Sequence, residues 1–264
     1  MNIQKSRFAL ATGAALITLI TACSSDDKKD TTDIRWTSYG VPHIKAENYT
    51  DLGEGLGYVM AKDRYCNVVK GVATSKSELA KHLGAGAENR NVNSDFAYLH
   101  LGAYQQAKDT FTQLDSRMQQ LMKGFAAGFN HAIEKDKHYS GDCQIDITSI
   151  DHFDIHALNL SINYWSFAIE YIQQIGAADP QAIDAKPRKL EQVIKSDMQK
   201  SLAERSKGSN GWAIGGDLSS TGKGMVLSNT HLEHEDEFLW YEAHLTIPNE
   251  IDVYGGFLPG FLTP

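Results

Sequence analysis

Gly208-Ser209-Asn210-Gly211-Trp212 sets a small nucleophile between two unlike kinds of sequence. A basic, amphipathic, helix-like segment, Arg188 to Lys207, leads into it. A strand-like run, Trp212-Ala213-Ile214-Gly215, leads away. A serine hydroxyl is a weak nucleophile until a base activates it. If the Gly208–Ser209 bond is cut, Ser209 gains an α-amine beside its own hydroxyl. Such an amine has a pKa of roughly 7.7–8.0, near the optimum for a base working at neutral pH. One residue then supplies nucleophile and base, the terminal-amine form of triad chemistry. The same five residues also suit an ordinary turn between a helix and a strand.

A second cluster, Ser228-Asn229-Thr230-His231-Leu232, ends the strand-like run that begins at Gly224. Ser219 to Gly224 supply a hairpin turn, so this run folds back along the one that begins at Ser209. On an extended chain Asn229 and His231 share a face. His231 is thereby brought near Ser209, where its backbone or ring could donate to substrate or orient the terminal amine. A histidine that merely closes a strand is the plain alternative. His231, Glu233, His234 and Glu235 do not suggest a metal site, because histidines three apart suit a helix and oppose each other on a strand. Neither a metal nor a cofactor is expected.

The elements that must hold these residues are legible in part. Asp33 to Ala46 reads as two short strands around a turn. Leu52, Leu56, Val59 and Met60 fall at helical spacing, with Thr50 as cap and Asp63-Arg64 riding the same helix. A further helix is expected over Ser75 to Leu83, ending at Gly84. Met118, Leu121, Met122, Phe125, Phe129 and Ile133 form the clearest helical stripe. Ile150 to Ile175 is dense in apolar and aromatic residues and reads as one or two core helices. Asp179-Pro180 and Lys186-Pro187 break structure. After Ser209 the pattern turns to strands: Trp212 to Ile214, Gly224 to Ser228, and Glu237 to Ile247. The fold class expected is α+β, one mixed domain with helices before the cut and strands after it.

The N-terminus stands apart. Lys5 and Arg7 precede an apolar run, Phe8 to Ile20, that is shorter than the roughly 20 residues a bilayer span needs. It has the length of a signal-peptide core, which makes residues 1–22 a leader. Leu19-Ile20-Thr21-Ala22-Cys23 resembles a bacterial lipobox, and the resemblance implies cleavage before Cys23 and a lipid on its sulfur. Ser24, where an aspartate would hold the protein at the inner membrane, slightly favours the outer one. The chain is thus expected on the periplasmic side of the envelope, anchored through Cys23, with residues 23–32 as a polar tether. Cys66 and Cys143 remain in the mature chain. In an oxidising compartment they are candidates for a disulfide, with two buried free thiols as the alternative. The net charge of −8 and the lack of a long basic tract outside the leader and the run before Ser209 exclude nucleic acid as an expected partner.

Taken together, these motifs resemble the penicillin acylase family of N-terminal nucleophile hydrolases. The residues that carry the resemblance are Gly208 to Trp212, Gly222 to His231, His244-Leu245-Thr246-Ile247-Pro248, Tyr39 to Ile44, and Gly57 to Arg64. The branch most resembled is that of acyl-homoserine-lactone acylases and related acylases that remove long fatty acyl chains. The resemblance implies a precursor that cuts itself at Gly208–Ser209. It implies a mostly helical α-subunit over 33–185, a spacer over 186–208 that is trimmed away, and a β-subunit that starts at Ser209 and is truncated within 209–264. Ser209 would be the nucleophile. His231 stands where the lactone-acylase branch has histidine and penicillin-cleaving members tend to have glutamine, and Leu232 where a residue lines the acyl pocket. A small-molecule N-acyl substrate would be the partner. The family fold is a four-layer α/β/β/α sandwich, incomplete here. The family's second subunit is far longer than Ser209 to Pro264. The asparagine and backbone amide of its oxyanion hole lie beyond this stretch, and such donors contribute roughly 10²–10³ in rate each. A non-catalytic, truncated lipoprotein is the alternative function, and penicillin or lipopeptide hydrolysis the alternative substrate choice.

Overall fold

The computed structural model describes residues 32–135, 143–167, 208–231 and 239–262. The leader, Cys23, the segment 168–207 with its expected spacer helix, and Leu232 lie outside them. The described elements run in order as β1 (Thr32–Trp36), β2 (Pro42–Ala46), α1 (Tyr49–Ser75), α2 (Leu79–Leu83), α3 (Arg90–Leu101), α4 (Ala103–Thr110), α5 (Ser116–Lys135), α6 (His152–Phe167), β3 (Gly208–Ile214), β4 (Met225–His231), β5 (Tyr241–Ile247) and β6 (Ile251–Phe257). Helices precede Ser209 and strands follow it, as the α+β pattern requires. The exception is the opening hairpin β1–β2.

That exception organises the molecule. The larger sheet has the order β1-β2-β5-β6. β1 pairs antiparallel with β2, β5 antiparallel with β6, and β2 parallel with β5 through His43–His244, Ile44–Leu245 and Lys45–Thr246. A strand from before Ser209 thus lies beside one from after it. Alternation gives β5 a buried face of Tyr241, Ala243, Leu245 and Ile247 and an outer face of Glu242, His244 and Thr246. Ile44, Ala46, Leu245 and Ile247 join α1 and α5 in a single apolar core. One helical layer thus covers one sheet.

α1 and α5 approach closely because glycines face the partner backbone. A Cβ on Gly124 would lie 1.9 Å from the Thr50 carbonyl oxygen, and one on Gly128 would lie 1.8 Å from that of Glu54. Gly53 and Gly57 answer from α1, at 2.2 Å from the Leu121 oxygen and 2.0 Å from that of Phe125. Phe125 and Phe129 stack beside this seam and are fully buried. α1 is capped by Asn48, whose side chain accepts from the Asp51 amide at 3.0 Å. The cap expected at Thr50 therefore falls two residues earlier. Asp63 and Arg64 do ride α1, but Arg64 leaves helical geometry (φ −138°, ψ 26°) and kinks it. There the Tyr241 hydroxyl donates to Asp63 at 2.7 Å, fastening β5 to the kink. Burial, and then Asp63, raise the Tyr241 pKa. The helix expected over Ser75 to Leu83 begins later, at Leu79, and stops as expected at Gly84, in a positive-φ conformation open to glycine.

The segment 143–150 has no regular structure and is held by specific bonds instead. Cys66 and Cys143 form a disulfide with a Cα–Cα distance of 5.5 Å, which decides between the two states open to these cysteines. The Tyr65 hydroxyl donates to the Ile147 carbonyl at 2.8 Å, and Asn130 exchanges two 2.9 Å bonds with the Ile150 backbone. α6 then starts in a reciprocal cap. The Asp151 carboxylate accepts from the Asp154 amide, and the Asp154 carboxylate accepts from the Asp151 amide, each at 2.9 Å.

Candidate active site around Ser209

β3 and β4 form a separate two-stranded ribbon, closed by the turn expected between Ser219 and Gly224. Gly222 takes φ +67° in that turn, and the Ser219 hydroxyl donates to the Lys223 carbonyl at 2.7 Å. The register pairs Gly208 with His231, Ser209 with Thr230, Asn210 with Asn229, Gly211 with Ser228 and Trp212 with Leu227. Antiparallel partners share a face, and faces alternate. One face therefore carries Ser209, Gly211, Ala213, Ser228 and Val226. The other carries Asn210, Trp212, Ile214, His231, Asn229, Leu227 and Met225.

The bond expected to be cut lies at the start of this ribbon, between the first two residues of β3. The Ser209 side chain is exposed on the face of small residues. Nothing bulky from its own strand stands beside it, so a carbonyl carbon could approach the hydroxyl. His231 is the last residue of β4 and the register partner of Gly208. Its backbone borders the Gly208–Ser209 peptide, while its ring lies on the opposite face from the Ser209 hydroxyl. Asn210 holds it there: the Asn210 side-chain amide nitrogen lies 3.2 Å from His231 Nε2. An amide nitrogen only donates, so this contact is a hydrogen bond when Nε2 is bare. Ser209 and His231 are thus neighbours along the ribbon, with contact through the backbone rather than from side chain to side chain.

Asn210 joins the site without having been among the expected site residues. Its signal was available: it precedes Trp212 by two, on the face that Asn229 and His231 share. Leu232 lies outside the described residues, as does Cys23. Among the described residues no group of three or more His, Cys, Asp or Glu side chains could hold a metal ion. No helix among them is long and apolar enough to cross a membrane.

Comparison with known proteins reaches most of the chain. The family model described as penicillin amidase matches residues 31–263. The chain is similar to an acyl-homoserine lactone acylase, PvdQ, of Pseudomonas savastanoi pv. phaseolicola, at 30% identity over 266 residues, 96% of this chain and 34% of that protein. It is similar to aculeacin-A acylase of Actinoplanes utahensis, at 28% identity over 86% of this chain and 31% of that protein. Among solved structures it is similar to a thermostable penicillin G acylase from Alcaligenes faecalis, with TM-score 0.47 at 19% identity, covering 65% of this chain and 88% of that one. The chain spans about a third of the length of the curated relatives it matches.

Proposed function

We propose that this chain, which belongs to the penicillin amidase family, carries the processing site and nucleophile of an N-acyl amide hydrolase. Its substrates on this proposal are N-acyl homoserine lactones and related fatty amides. The observation that carries the proposal is the place of Ser209. It is the second residue of an exposed strand, on the face of small residues, in a chain similar along 96% of its length to an acyl-homoserine lactone acylase. Processing begins when the Ser209 hydroxyl oxygen attacks the Gly208 carbonyl carbon. The C–N bond breaks, the nitrogen takes the hydroxyl proton, and an ester joins the two segments. Water cleaves that ester and leaves the α-amine free.

In turnover the same hydroxyl attacks the substrate's acyl carbonyl and the α-amine takes its proton. The proton then passes to the departing amine. A second water molecule, activated by the α-amine, frees the fatty acid. His231, bordering the scissile peptide, orients the new terminus through its backbone, and Leu232 lines the acyl pocket. The 186–208 spacer is trimmed after the cut. A lipid on Cys23 holds the enzyme on the periplasmic side, at the outer membrane. The test uses the protein as its gene encodes it. Wild type runs as two fragments on a denaturing gel and releases fatty acid from an N-acyl homoserine lactone. Ser209→Ala stays as one chain and releases none. A Ser209→Ala protein that still splits at Gly208 and still hydrolyses would sink the mechanism.

A further inference from the structure

The outer face of the four-stranded sheet holds a relay of three side chains that the chemistry at Ser209 does not use. His43 of β2 and His244 of β5 are register partners, with Nδ1 atoms 2.8 Å apart and rings meeting edge to face. His244 Nε2 lies 2.6 Å from Asp252 Oδ1 on β6. A carboxylate only accepts, so Nε2 of His244 carries a hydrogen and donates. Between the rings, one Nδ1 must hold a hydrogen and the other must be bare. Two arrangements satisfy this. In one, both rings are neutral and His43 donates to His244. In the other, one ring has taken a further proton. A state with both rings fully protonated sets two donors and two positive charges face to face at 2.8 Å, and the bond cannot survive it.

We propose that His43, His244 and Asp252 form an acid-sensitive clasp that joins the strand preceding Ser209 to the hairpin following it. The pairing it spans is short, covering only residues 43–45 and 244–246. The surrounding charges decide where protons go. From β1, Arg35 is the register partner of His43 and is paired to Asp33 at 2.7 Å. β2 adds Lys45. β5 adds Glu242, which accepts from the Tyr254 hydroxyl of β6, and the Tyr254 ring also touches His244. The helices lie against the other face. His244 therefore has Asp252 to receive a first proton, while a second proton on His43 meets cations on both sides. The closed seam binds one extra proton and the opened seam binds two. By linkage acid favours the open form, because that form binds the extra proton. The clasp acts whether or not the Gly208–Ser209 bond is cut.

The test is amide hydrogen exchange on the whole chain at pH 7.5 and 5.0, corrected for intrinsic rates, with α1–α5 amides as internal reference. Opening of β2 and β5 amides should rise on the order of tenfold at the lower pH, the size one coupled proton allows over this range. His43→Gln should abolish that rise. Asp252→Asn, which removes the carboxylate and keeps the strand, should move the opening to higher pH. Nitrogen-15 shifts at neutral pH should show one protonated and one bare Nδ1 between the two rings. Equal pH dependence in wild type and His43→Gln, an unmoved opening in Asp252→Asn, or two bare Nδ1 atoms would overturn the clasp.

Discussion

Lys76 and Asp154 show how much one buried charge can depend on another. Lys76 Nζ lies 3.0 Å from Asp154 Oδ1, and the Asp154 side chain is only 5% exposed. Burial pushes the Asp154 carboxyl up, against the pull of the Asp151 backbone bond and of Lys76. Burial would also lower Lys76, but the bond and charge of Asp154 outweigh it, and its pKa rises. The carboxylate is the more deeply buried member and suffers more from desolvation. It holds the reciprocal cap of α6, so losing its partner strains a helix start as well as a charge. Lys76→Met is expected to cost roughly 3–5 kcal/mol, the penalty for orphaning a buried ion, read as a lower urea midpoint. Ser209 depends far less on its surroundings. It is exposed, and among the described residues backbone pairing holds it, so Ser209→Ala should leave the stability of the uncut chain within about 0.5 kcal/mol, as surface changes do.

At the scale of elements, the seam between α1 and α5 admits little variation. Gly128→Ala would place a methyl against the Glu54 carbonyl oxygen, where the obstacle is backbone and cannot swing aside. The expected cost is about 3 kcal/mol, the upper end for overpacking, measured by denaturant unfolding. α6 brings a pH dependence of its own. His156 is buried with Nε2 3.0 Å from the Thr110 hydroxyl oxygen, and burial lowers its pKa and that of His152. Both are held neutral in the fold and take a proton more readily when unfolded. Their contribution is intact above about 6.5 and is lost as pH falls below it. His156→Gln should flatten the acid limb of a stability profile measured between pH 7 and 4, provided the amide keeps the bond to Thr110.

The same elements show what the sequence could and could not convey. α5 was plain because six apolar residues repeat at helical spacing. The β3–β4 hairpin was plain because Gly222 and its polar neighbours mark a turn. α3 and α4 carry no such signal: they bury only Ser94, Ala97, Tyr98, Ala103 and Ala107, while Phe96 and Leu99 face solvent. A helix that buries small residues leaves no apolar stripe to read. β6 alternates Ile251 and Val253 with Asp252 and Tyr254, a usable signal that was masked by the Pro- and Gly-rich stretch after it. The side of the ribbon on which His231 would fall relative to Ser209 depended on a register that no local pattern prints. So did the pairing of β2 with β5.

Over the whole molecule, stability rests on ties between distant parts of the chain. The disulfide closes a loop across a sequence separation of 77. Cys66→Ser combined with Cys143→Ser is expected to cost about 4 kcal/mol in the chain-entropy account, seen as a lower thermal midpoint. The parent protein in reductant should behave in the same way. The ribbon is the contrasting part. Trp212, Val226 and Leu227 are more than half exposed, and β3 and β4 pair only with each other among the described residues. Among the described residues its order derives from the hairpin bonds.

Time during synthesis also bears on the sheet. His43 and His244 stand 201 residues apart in sequence. At a synthesis rate of about 5–20 residues per second, β2 waits roughly 10–40 s for its neighbour. Throughout that interval the β2 edge of the hairpin has no strand beside it, and open edges invite pairing with other chains. The α1–α5 seam needs nothing beyond Lys135, so the helical layer can cover Ile44 and Ala46 from one side long before β5 exists. The nascent chain thus shields its apolar face first and leaves its hydrogen-bonding edge for last.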